Sequence, residues 1–135
     1  MTSRQMAVIL SEMDRKLSQA IQQLVMGIYG DLVDNPPEGT PVDTSWASNN
    51  WWPAVGAAPQ GNDGDAGDPS SRLGGQQAGV AQVLAYNYKS GKPLWVSNRV
   101  PYIGRLNAGW SNQSPAGFVE AAIDRNIKAM RGRQL

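Results

Sequence analysis

The chain has 135 residues, 12 Lys and Arg against 11 Asp and Glu, and neither His nor Cys. That length predicts one domain, 1–135, with a single modest core. Without His or Cys, the usual catalytic triads, thiolate nucleophiles, disulfides and Cys/His metal centres are excluded.

Residues 3–29 read as a long amphipathic helix. Leu10, Met13, Leu17, Ile21, Leu24 and Ile28 recur at steps of three and four, which places them on one stripe. Thr2 and Gln5 have the spacing of a capping box. Gly30 is placed to stop the helix, and Pro36-Pro37 prevent its return. The length suits a core helix whose ends overhang, or one that also packs on a neighbouring subunit.

Residues 31–45 carry turn chemistry. A strand is expected within 46–58, where Trp51, Val55 and Ala57 alternate with Trp52 and Ala54, and Pro53 implies an edge position or a bulge. From 56 to 75 the chain is rich in Gly, Asp, Pro, Ser and Asn, which predicts a long flexible acidic loop. Gln76–Tyr86 suggests a short helix carrying Val80, Val83 and Leu84 inward. A second strand is expected over Pro93–Val100, with Leu94, Val96 and Asn98 on one face. The last helix is predicted over 115–131, with Ser114 as N-cap and Pro115 in its first position. Val119, Ile123, Ile127 and Met130 form its expected buried stripe. The fold class is therefore α+β: a small antiparallel sheet packed by the N-terminal and C-terminal helices.

The charge is segregated along the chain. Residues 17–71 have no Lys or Arg but hold Asp31, Asp34, Glu38, Asp43, Asp63, Asp65 and Asp68. Residues 72–135 hold nine basic side chains against Glu120 and Asp124. Such polarity speaks of partners and assembly. The Asp63–Asp68 run has oxygen ligands but not the spacing of a calcium loop, and Ser90-Gly91-Lys92 lacks the rest of a phosphate loop. No metal or cofactor is expected. Arg125, Lys128 and Arg131 suit the C-terminal end of a helix. With Trp95 and Trp110, the basic end also fits a small DNA-binding module. Trp46 and Trp52, beside the acidic loop, read as interface anchors. No apolar run is long enough to cross a bilayer, so a protein made in a cytoplasm, without a membrane partner, is expected.

Three ordered segments resemble one family. The first is Thr40-Pro41-Val42-Asp43-Thr44, followed by Trp51. The second is Val96-Ser97-Asn98-Arg99-Val100-Pro101-Tyr102, with Leu106 and Gly109. The third is Ser114-Pro115-Ala116-Gly117-Phe118-Val119. Together they resemble the tail-completion (neck, or tail-to-head joining) proteins of long-tailed bacteriophages, related to the minor tail protein Z of lambda-like phages. Ser45 stands where that family usually has Gly, and Asn107 near its usual Glu. The resemblance implies a structural virion protein, not an enzyme, assembled in the host cytoplasm into a ring expected to be hexameric. The ring would sit at the head-proximal end of the tail, between a tail tube or terminator protein and a head connector or stopper protein. DNA would pass its lumen without specific binding. A tail terminator or a head-side stopper is the alternative within that class. Segment 31–71, with Asp63, Asp65 and Asp68, is expected to be an inter-subunit or lumen-facing arm that meets the neighbour's Arg125, Lys128 and Arg131.

Overall fold

The first helix begins with a reciprocal exchange. In the computed structural model of the chain, Thr2 N–H donates to Gln5 Oε1 at 2.8 Å, and Gln5 N–H donates to Thr2 Oγ1 at 3.1 Å. Two otherwise orphaned amides are thereby satisfied, as the capping-box spacing predicts. The structure describes residues 1–34, 36–42, 46–59 and 73–133. Helix α1 covers Ser3–Val33 and is about 46 Å long at 1.5 Å per residue.

Gly30 does not stop it. A glycine inside a helix costs only about 1 kcal/mol, which the flanking packing overcomes. The stop comes at Asp34, whose N–H turns back to Asp31 O just before Pro36 and Pro37. The Leu32 carbonyl then accepts from both the N–H (3.2 Å) and the Oγ1 (2.7 Å) of Thr40.

Strands β1 (Trp51–Val55) and β2 (Leu94–Asn98) pair antiparallel, with Trp51 opposite Asn98 and Val55 opposite Leu94. Both are shorter than the sequence suggests. Residues 52 and 54 turn their backbone groups toward β2, whereas 51, 53 and 55 turn theirs toward the outer edge of β1. Pro53 therefore lacks an N–H only where the ladder needs none. The expectation of an edge position holds, and the register runs through it without a bulge.

Helix α2 (Leu73–Leu84) closes that outer edge. Gln76 Nε2 donates to Trp51 O at 3.0 Å and to Asn49 O at 2.9 Å, and Gln82 Oε1 accepts from Val55 N–H at 3.3 Å. Between them Gly79 lies directly against the Pro53 carbonyl; a Cβ there would stand 1.9 Å from the oxygen. Residues 73–75, expected in the loop, belong to this helix, and 60–72 lie outside the described residues. Val83 is buried as expected, but Leu84 is exposed.

A 3₁₀ turn (Tyr88–Ser90) leads to β2, followed by α3 (Ile103–Asn107) and α4 (Phe118–Arg131). The predicted start of α4 at Pro115 is corrected to Phe118. Gly117, at φ +79°, is the residue before the helix, a left-handed conformation that favours glycine. Ser114 is no N-cap, because its hydroxyl is buried and donates to Gly39 O at 2.6 Å. The buried face of α4 is the expected stripe turned toward Phe118 and Ala122, which are buried: Val119, Ile127 and Met130 are half-buried, and Ile123 is exposed.

The core gathers Leu32, Trp51, Phe118 and Ala122, with Ile28, Tyr29, Val96, Ile103, Leu106 and Val119 packed around them. The architecture is α+β, a small antiparallel sheet packed by α1 and α4.

Candidate functional site

The three motif segments, far apart in sequence, come together in one region. Thr40 Oγ1, which donates to Leu32 O, also accepts from Trp51 Nε1 at 2.7 Å. Thr40 thus ties the end of α1 to the start of β1. Pro41 is buried, and Val42 N–H donates to Gln113 Oε1 at 2.9 Å. The Ser114–Gly39 bond completes the tie between the first and third segments. Asp43 and Thr44 lie outside the described residues.

The second segment closes on the same region. Asn98 Nδ2 donates to Ala47 O at 2.8 Å, and Asn98 Oδ1 accepts from Val100 N–H at 3.0 Å. Pro101 follows β2 in a turn, and Tyr102 meets Trp46 edge to face with ring centroids 5.6 Å apart. Leu106 packs against the core. Gly109, at φ +94°, leaves α3 with Ala116 Cβ close to where its own Cβ would stand.

Asn107, the departure from the family pattern, proves to be a clamp. Its carbonyl accepts from Gly117 N–H at 2.7 Å, its Oδ1 accepts from Val119 N–H at 2.9 Å, and its Nδ2 donates to both Glu120 oxygens. These bonds cap α4 in place of the expected serine, and they hold the Glu120 carboxyl below its usual value. No sequence signal beyond an Asn eleven residues before the helix pointed there.

The expected interface residues divide. Trp52 is 9% exposed, so it belongs to the chain's own core and offers no surface anchor. Leu32, Thr40, Trp51 and Ala54 are buried too, so these residues of 31–58 belong to the core and do not project as an arm. Asp63, Asp65 and Asp68 lie outside the described residues. Arg125, expected to meet a neighbour's acidic segment, pairs with Asp31 of its own chain at 3.3 Å, and Asn126 Nδ2 adds a 2.8 Å bond to the same carboxylate. Lys128 pairs with Asp124 one turn away at 2.8 Å. Arg131 lies in the last turn of α4.

Two apolar surfaces stand out among the described residues. Trp110 is 72% exposed, with the Arg105 guanidinium 4.9 Å from its ring centre. The larger surface is the first third of α1, whose Met6, Val8, Ile9, Leu10 and Met13 are all exposed. Comparison with protein-family models, curated proteins and solved structures gave no match. Among the described residues, no His/Cys/Asp/Glu group is placed to hold a metal ion, and no helix is long and apolar enough to cross a membrane.

Where α1 enters the body, Asp14 accepts from Tyr88 Oη at 2.6 Å and pairs with Lys89, while Ser18 Oγ accepts from Tyr88 N–H at 3.1 Å. This polar anchor was not visible in the sequence, because 74 residues separate Asp14 from Tyr88. Lys89 first, then Tyr88, hold the Asp14 carboxyl below its ordinary value. A depressed carboxylate contributes stability above its unfolded pKa and loses it as pH falls through the folded value. Urea unfolding should therefore show the chain losing stability on acidification below about pH 4, and Asp14→Asn should show a smaller loss over the same range. Equal acid sensitivity in both chains would exclude this anchor as a contributor.

Proposed function

We propose that the chain is a structural subunit of a phage neck, forming a ring at the head-proximal end of the tail and joining the tail to the head connector. It works through shape and surfaces, not through a chemical site. The observation that carries this reading is the convergence of the three family-like segments on one cluster, tied by the Thr40, Ser114 and Asn98 hydrogen bonds. Residues that resemble a family's motif in order and spacing, and that also interlock in space, support a shared fold unit. In the virion the ring would contact a tail tube or terminator protein on one side and a connector or stopper protein on the other. Contacts repeated head to tail close into a ring when the rotation per subunit permits.

Loss of the gene from its phage should leave filled heads beside finished, unjoined tails. Tails of unregulated length would assign the terminator role instead, and normal particles would overturn the neck reading. A second reading, a small DNA-binding module, is favoured by the exposed Trp110 with Arg105 stacked on it, since aromatic faces and guanidinium groups suit single-stranded bases. DNA affinity that falls steeply with salt, and with Trp110→Ala, would select it.

A further inference from the structure

The uncovered part of α1 carries a second pattern inside its stripe. Met6, Leu10, Met13 and Leu17 follow steps of four, three and four, the spacing of a coiled-coil seam. From Leu17 onward the stripe turns into the body: Leu17 and Leu24 are half-buried, Ala20 is buried, and Ile28 packs on the core. Before Asp14 nothing covers it among the described residues. Met6 is 46%, Ile9 43%, Leu10 51% and Met13 53% exposed.

We propose that this segment pairs with the same segment of a second copy, the two helices running in opposite directions. The direction follows from the stripe itself. A second helix running parallel would follow the seam past Asp14 into space that the body occupies. An antiparallel helix overlapping residues 3–13 keeps the two bodies at opposite ends. With Leu10 facing Met6 of the second copy, Arg4 lies level with Glu12 of that copy, and Met13 covers the Ser3 turn. No two like-charged side chains of residues 3–13 are then brought level.

The area also fits. Several large apolar side chains, each about half exposed, make a patch on the order of 500 Å², near the upper end of what a monomer leaves open. Pairing two such patches buries about 1,000 Å², the lower bound for a specific interface. A weak dimer is the expected result. The pairing does not rest on the neck reading, since it is a property of the free subunit.

Sedimentation velocity of the full chain over about a hundredfold range of concentration should show a monomer–dimer equilibrium in the micromolar range. Leu10→Glu combined with Met13→Glu should weaken it about 100-fold or more, with circular dichroism unchanged and, at concentrations where both chains are monomeric, the melting temperature unchanged, because both positions face solvent in the free chain. Val8→Glu, off the seam, should leave it intact. The chain has no Cys, so Ser3→Cys gives a clean test of direction. Antiparallel pairing holds the two Ser3 positions about 15 Å apart, beyond disulfide reach, whereas parallel pairing brings them together. A chain that stays monomeric, a double variant that pairs as before, or a Ser3→Cys chain that locks into disulfide dimers overturns the proposal. A ring closed through other surfaces would survive the double substitution, so the two readings fail separately.

Discussion

Replacing Phe118 by Ala should destabilise the chain by about 3–5 kcal/mol, the cost of deleting a fully buried aromatic side chain. Phe118 is the first residue of α4 and shares the core cluster with Leu32 from α1, Trp51 from β1 and Ala122 one turn further on. Its ring is thus the contact at which three elements meet, and the short neighbours Ala122 and Gly117 cannot expand into the void. Against a total of about 5–15 kcal/mol for a domain of this kind, the loss is large. Thermal unfolding followed by circular dichroism should fall by about 10–20 °C. A shift of only a few degrees would mean that α4 is held by its polar cap at Asn107 and its Asp31 pairing instead of by this core.

The second large effect concerns a substitution that normally stabilises. Gly→Ala inside a helix is worth up to about 1 kcal/mol in favour of Ala, and at Gly30 that gain should appear, because an added Cβ meets nothing within 4 Å. At Gly79 the sign reverses. The new Cβ would stand 1.9 Å from Pro53 O, a contact no rotamer change relieves, since both atoms are fixed by backbone. Helix α2 must then lift from β1 and carry Gln76 and Gln82 away from the groups they satisfy. A net loss of about 2–4 kcal/mol is expected. Urea unfolding of the two variants, side by side, checks the contrast; equal effects at 30 and 79 would show that α2 does not bear on β1.

The features legible in the sequence were those decided locally. The Thr2–Gln5 cap, the α1 stripe and the two strands each depend on residues within a few positions of one another. The errors have a common physical cause, which is competition from distant groups. Ser114 has the side chain of an N-cap, but the Gly39 carbonyl, 75 residues away, claims its hydroxyl, and Asn107 takes over the cap. Ile123 falls on the apolar period of α4, yet the body meets the helix on the Phe118–Ala122 side. The α1 stripe was readable as a stripe; which part of it would be covered depended on where the body ends.

The site shows the same division. The family-like segments were visible as sequence, but not the Thr40 hydroxyl that bridges Leu32 and Trp51. Gln76, Gly79 and Gln82 stand three residues apart, on one side of a helix. That spacing acquires meaning only once a strand margin is known to lie beside it.

The sheet also has an asymmetry of margins. Along β1 the outward backbone groups at Trp51 and Val55 are taken by glutamines of α2. Along β2 the outward N–H and C=O of Leu94 and Val96 have no hydrogen-bond partner among the described residues. Strand addition is therefore possible on one side only. Two copies that joined there would consume both open margins and leave none, so accidental pairing ends at a four-stranded sheet and does not propagate into a fibre. Lys92 and Arg99, flanking β2, discourage even that first step by repulsion. Among the described residues, the open backbone margin of this sheet is thus self-terminating.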